Sequence, residues 1–218
     1  MFNRFEKVRG MSIDKIIGQE RFAFTQTDYI GFYDMIEYSK KQTYQGSSIA
    51  FYDFFTGKVY EPFEKTKNVL YGNPVYIDGY FYFLKGDYND NTITLLKHFP
   101  DTLLETVEEF KMSEMDLYNL GIIGNPLYII SQDNETFNCY YPKRISFPLN
   151  PNETVFFIEN EKIYLEAWQE EEFDKEKWCA TKDYKYYDKI IVKDFKGNTI
   201  SEEIGSLYQA PDGNWWIS

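Results

Sequence analysis

Six residues, Gly72-Asn73-Pro74-Val75-Tyr76-Ile77, return 52 positions later as Gly124-Asn125-Pro126-Leu127-Tyr128-Ile129, with Leu127 in place of Val75 the only difference. Two apolar residues precede each copy, Leu70-Tyr71 and Ile122-Ile123. Self-similarity at a period of about 50 residues points to stacked or radial repeats, in which each unit buries its face against its neighbours. The same spacing predicts that Tyr76 and Tyr128 occupy equivalent inner strands of successive units.

The units read as small antiparallel sheets. Aromatic residues make up 20% of the chain, and rings fit pleated, half-buried surfaces better than helices. Short apolar runs are separated by clusters of Gly, Asn, Asp and Ser, as in Phe22-Ala23-Phe24, Tyr29-Ile30-Gly31-Phe32-Tyr33 and Ile49-Ala50-Phe51-Tyr52. Between 72 and 123 the pattern is clearest: a strand at 75–77, a hairpin turn at Asp78-Gly79, and a strand at 80–84 apolar enough to be buried on both faces. A turn at 86–91, a strand at 92–96 and another from Leu103 to Phe110 come next; residues 105–118 fit a short helix equally well. Later strands are expected at 127–130, 137–141, 145–147, 155–158, 162–165 and 184–192, with a turn at Glu159-Asn160 and a solvated acidic loop at 169–177. Asp53-Phe54-Phe55-Thr56-Gly57 has a looser counterpart in Asp194-Phe195-Lys196-Gly197.

Unit starts at Gly18, Gly72, Gly124, about Glu153 and Gly205 divide the chain into five, the last holding only a hairpin on Asp212-Gly213. Residues 10–18 match residues 197–205 in their glycine spacing, aligning Ile13 with Ile200 and Ile17 with Ile204. The N-terminal strands are therefore expected to pair with the C-terminal hairpin and close a ring. The fold predicted is one all-β domain over 1–218, a small propeller-like ring of about five antiparallel blades, with an irregular β-sandwich as the alternative.

A formal charge of −12 repels phosphates and anionic lipid, so no direct nucleic-acid or membrane partner is expected. The first residues do not resemble a signal peptide and no apolar run could span a bilayer, so a cytoplasmic monomer is expected. In that setting Cys139 and Cys179 are expected to be unpaired, buried thiols.

Catalytic motifs are missing. His98 is the only histidine, which leaves no imidazole partner for a metal site, and it is expected in a turn or on the surface. Asp87-Tyr88-Asn89-Asp90-Asn91 spaces oxygen ligands as calcium loops do, but Thr92 and His98 stand where such a loop needs glycine and glutamate, so a polar hairpin turn is expected. Neither a metal nor a cofactor is implied. Paired carboxylates of glycosidase type, drawn from Asp28, Asp34, Asp78 and Glu159, form one alternative.

Aromatic rings are the stronger candidates for a ligand site. Trp215 and Trp216 are adjacent, so in a strand one enters the core and the other faces outward. With Trp168, Trp178, Tyr76 and Tyr128 they form the candidate ligand-binding set, since flat rings serve as platforms for sugars and as anchors for protein partners. The function expected is non-catalytic binding of a protein or small ligand, with a glycosidase or a carbohydrate-binding module as alternatives.

Overall fold

A computed structural model describes residues 2–8, 12–124 and 126–218. It is all-β, 52% strand against 4% helix, and its strands form five separate antiparallel sheets in chain order. The first sheet is β1 (Asp14–Lys15), β2 (Phe22–Gln26), β3 (Ile49–Asp53) and β4 (Val59–Tyr60), with a short helix α1 (Met35–Lys40) between β2 and β3. The second holds β5 (Val69–Tyr71), β6 (Val75–Ile77), β7 (Tyr80–Asp87), β8 (Thr92–Phe99) and β9 (Leu103–Lys111). The third is β10 (Gly121–Ile123), β11 (Tyr128–Gln132), β12 (Thr136–Tyr141) and β13 (Ile145–Pro148). The fourth is β14 (Glu153–Glu159), β15 (Lys162–Asp174), β16 (Cys179–Lys193) and β17 (Thr199–Ile204); the fifth is the hairpin β18 (Leu207–Gln209) and β19 (Trp215–Ile217).

The apolar runs are continuous because the middle sheets are covered on both faces. Alternate residues of one strand enter different cores. Phe81 and Phe83 of β7 pack with Phe22, Phe24 and Phe51 of the first sheet, while Leu84 packs with Ile129 of the third. Tyr128 and Ile130, flanking Ile129, turn the other way and join Val155, Ile163 and Leu165 of the fourth sheet. Each of the first three sheets thus shares an apolar layer with the next.

The six-residue recurrence does not mark equivalent strands. In the first copy β5 and β6 lie along the same edge of β7, with Gly72 N–H donating to Leu84 C=O at 2.8 Å between them. The second copy forms the turn of the β10–β11 hairpin, where Ile123 pairs with Tyr128; Asn125 lies outside the described residues. Tyr76 is therefore on an opening strand and Tyr128 on a second strand. A Gly-Asn-Pro segment serves either as a break in a strand or as a turn, and the residues C-terminal to it decide between the two. Asp78-Gly79, at φ 48° and 86°, reverses the chain after the first copy. Ile130-Ser131 continues β11 after the second. The residues before each glycine do keep the period, since β5 and β10 both open their sheets.

The expected closure by strand pairing is also corrected. β1 pairs with β2 across a local turn at Gly18, and among the described residues β18 pairs only with β19. A short loop is the cheaper one to close. Phe5 and Glu6 lie along the outer edge of the first sheet instead. Phe5 meets Tyr52 edge-on at 4.9 Å, and Val59 N–H donates to the Glu6 carboxylate at 3.0 Å. The two ends do touch, through Gly18 N–H donating to Pro211 C=O at 3.1 Å. The predicted turn around Gly10 lies outside the described residues.

Other expectations divide. Residues 103–111 are a strand, which settles the choice against a helix there. The Asp53 and Asp194 turns both join the third and fourth strands of their sheets. Tyr29 to Tyr33 is loop, with Phe32 buried beside Gly86, where an added Cβ would lie 2.9 Å from its ring. The acidic stretch expected to be loop is largely strand: β15 runs to Asp174 and pairs with β16 in a projecting two-stranded ribbon. Its acids face partners across the ribbon, Glu170 accepting from Tyr184 Oη at 2.9 Å and Glu171 from Tyr187 Oη at 2.7 Å.

Candidate functional site

The opening strands converge on one cavity of about 980 Å³, lined by residues of all five sheets. β1, β6, β10 and β14 each contribute, as do Phe24 of β2, Tyr164 of β15, Ile190 and Val192 of β16, Glu203 of β17 and the C-terminal hairpin. That hairpin depends on its turn. Gly213, at φ 93°, donates its N–H to Ala210 C=O at 2.9 Å, and the Asp212 carboxylate accepts from the Asn214 amide groups. Those two bonds hold the Asp212 carboxyl below the usual carboxylate range. β19 then places Trp215 opposite Gln209 and Trp216 opposite Tyr208, on alternate faces.

Trp215 is the half-buried member of the pair and Trp216 stays 62% exposed, as alternation requires; both line the cavity. Trp215 stacks on Phe157 at 4.6 Å and 14°, and Phe157 stacks in turn on Tyr164 at 4.3 Å and 7°. A bulge in β14 makes this ladder. Val155 pairs with Leu165 and Phe157 with Tyr164, so Phe156 is the extra residue and the rings beyond it are re-aimed to face each other. All three rings of the ladder line the cavity, as does Tyr76, whose ring lies 5.5 Å from Phe81.

Charge in the wall is one-sided. Asp14, Asp78, Glu159, Glu203 and Asp212 line it, against Lys15 as the only cation among the described residues there. Asp14 accepts from Tyr29 Oη at 2.9 Å. The carboxylates of Asp78, Glu159 and Glu203 have no hydrogen-bond or ion-pair partner among the described residues.

Of the six predicted ligand-binding residues, Tyr76, Trp215 and Trp216 come together at the cavity. Tyr128 does not; it is buried in the core between the third and fourth sheets. Trp168 and Trp178 belong to the ribbon, Trp178 at its tip, 80% exposed and edge-on to Phe173 at 5.5 Å. Phe157 and Tyr164 were missed because their pairing depends on the bulge, although the turn joining their strands was legible one residue early, at Glu159-Asn160 instead of Asn160-Glu161. Of the acids proposed for glycosidase chemistry, Asp78 and Glu159 line the cavity, whereas Asp28 caps Ile30 N–H and Asp34 precedes α1.

His98 is neither a turn nor a surface residue. It lies buried in β8, 4.9 Å from the Phe51 ring, with Nδ1 2.7 Å from Leu103 C=O and Nε2 without a partner among the described residues. Burial lowers its pKa below the usual imidazole value. Cys139 and Cys179 are free; Cys139 is buried, which pushes its thiol up to about 11, but Cys179 is exposed. Among the described residues, no group of three or more His, Cys, Asp or Glu is placed to hold a metal ion, and no helix is long and apolar enough to cross a membrane. Residues 88–91 form the β7–β8 hairpin turn, closed by the Asp87–Thr92 pair. Comparison with protein-family models, curated proteins and solved structures gives no match.

Proposed function

We propose that this chain is a non-catalytic binding protein whose ligand sits in the shared cavity, against Tyr76, Trp215 and Trp216. The observation that carries the reading is the convergence of opening strands from five sheets on one aromatic-lined cavity. Cavities where several elements meet are the usual place for a ligand, since each element adds one wall and few side chains must be ordered anew. In this reading the five sheets are the blades of a small propeller-like ring, the fifth incomplete, within one domain spanning 1–218. Separate sheets in chain order and the contact between Gly18 and Pro211 support that arrangement over an irregular sandwich. The proposal includes a cytoplasmic monomer with a protein or small-molecule ligand, carbohydrate among them, no cofactor, and no direct nucleic-acid or membrane partner, in keeping with a charge of −12.

The test is comparative capture from native lysate, using the full chain and a Tyr76→Ala, Trp216→Ala variant, with mass spectrometry of proteins and metabolites. A species held by the first and lost by the second is expected. Identical recovery from both would remove the cavity from the account. The glycosidase reading is favoured by one observation, that Asp78 and Glu159 line the same cavity. Turnover of an aryl-glycoside panel, abolished by Asp78→Asn or Glu159→Gln, would establish it in place of simple binding.

A further inference from the structure

We infer that the cavity selects a cation, an alkylammonium or guanidinium head, either on a free small molecule or on a lysine or arginine side chain of a partner. The inference rests on the binding reading above and names what is bound.

Two independent features of the wall point the same way. The first is the uncompensated charge. The two buried acids, Asp53 and Glu153, each have a cationic partner, Arg21 at 2.7 Å and Lys193 at 2.5 Å. At the cavity the exposed acids Asp78, Glu159 and Glu203 have none among the described residues, and they line it from different sheets or strands. A concave wall of one sign concentrates counter-ions of the other, because low-dielectric walls focus the field. A neutral sugar gains nothing from that field, and an anion is repelled.

The second feature is the ring system. Trp215, Phe157 and Tyr164 stack in the same wall, and Trp216, 62% exposed on the other face of β19, also lines the cavity. Indole and phenol faces carry negative potential and attract a cation within about 6 Å of the centroid, tryptophan most strongly. Carboxylates around aromatic faces therefore fit a partly desolvated organic cation better than a metal ion, which needs convergent oxygen ligands. Among the described residues no such ligand cluster is present.

The test uses a Trp168→Phe, Trp178→Phe background, which leaves Trp215 and Trp216 as the reporting indoles. N-acetyl-lysine amide and N-acetyl-arginine amide are titrated as free cations, and an arginine- and lysine-rich peptide as the partner-borne form. N-acetyl-norleucine amide, N-acetyl-citrulline amide and a neutral oligosaccharide are the uncharged controls. The expected result is saturable quenching by the cations below about 1 mM, absent with the neutral analogues. Binding should weaken roughly tenfold or more in an Asp78→Asn, Glu159→Gln, Glu203→Gln variant. It should persist in a Glu108→Gln, Glu109→Gln, Glu135→Gln variant of equal net charge. A free-cation signal assigns a small amine; a signal from the peptide alone, with the same acid dependence, assigns a partner's side chain. Equal affinity for cations and neutral analogues, or equal loss in the two triple variants, would overturn the inference. Quenching by the oligosaccharide with none by the cations would overturn it while leaving the binding reading standing. Unchanged cation affinity in Trp216→Ala and Tyr76→Ala variants would put the site elsewhere and remove both.

Discussion

Lys193→Met should be among the most damaging single substitutions in this chain, although the two side chains are similar in size and the residue is not in a turn. Lys193 Nζ and Glu153 Oε2 are 2.5 Å apart with side chains 3% and 2% exposed. The same carboxylate accepts from Asn150 N–H and from Asn150 Nδ2, each at 2.8 Å, so Glu153 is fully engaged at the start of β14. Removing only the lysine leaves that carboxylate buried without its counter-charge. Breaking a buried pair from one side costs about 3–5 kcal/mol, because the remaining ion keeps its desolvation penalty and loses its partner. For a domain of this size each kcal/mol lowers the melting temperature by roughly 2–4 °C, so a drop of about 6–20 °C is expected. Urea unfolding followed by far-UV circular dichroism would measure the loss, and the Glu153→Leu, Lys193→Met double variant is the control. Replacing both charges should recover most of the stability, since a packed apolar pair is often as good as a buried ion pair. β14 also carries Phe157, so the single variant should loosen the Trp215 stack and red-shift tryptophan emission. A single variant within about 1 kcal/mol of the parent would refute the reasoning, showing that water reaches the pair.

Stability should fall as the pH drops below about 6.5, because unfolded His98 takes a proton there and the folded, buried ring, with its lowered pKa, does not. A His98→Phe variant should show a flatter stability profile between about pH 7 and 5; an unchanged slope would clear His98 of that role. Asp53 is buried, and its carboxyl is held down at about 2, first by its hydrogen bonds to Arg21 and also by the Phe55 N–H. Its contribution is complete above the unfolded value near 4 and is lost as the pH falls toward 2; Asp53→Asn at pH 7 should cost about 2 kcal/mol at most, since Arg21 is half-exposed and screened. In the ribbon, amides of residues 170–185 should exchange far faster than those of residues 163–167, because two strands without further neighbours are marginal. Equal protection along β15 would mean that the ribbon is packed against something.

Much of this architecture could be read from the chain. Asp78-Gly79, the Gly213 turn and the Asp53 and Asp194 turns all reverse the chain where their residue types demand it. Strand positions came from the apolar runs between them. Local sequence did not encode which neighbour a strand would take. Gly-Asn-Pro suits both a strand break and a turn, so the two copies could be matched without being equivalent. The acids of 169–174 looked like a loop because their partners, Tyr184, Tyr187 and Lys185, come from the returning strand. His98 sits near a turn in sequence, but the burial that decides its chemistry comes from Phe51 of another sheet. The site shows the same division. Trp215 and Trp216 were legible from their adjacency, whereas the ladder needed a bulge and the acidic wall needed four sheets to meet.

Both ends of the chain help enclose one cavity, and the Gly18 amide reports on that enclosure most directly. Its N–H is donated to Pro211 C=O, across the only seam where the first and last sheets meet by a backbone hydrogen bond among the described residues. Residue-resolved hydrogen exchange on the full chain should show Gly18 protected, and shortening the chain to residue 206 should release that protection while β2 and β3 stay slow. Exchange of Gly18 at the rate of a free loop in the full chain would contradict the enclosure, and with it the site built upon it.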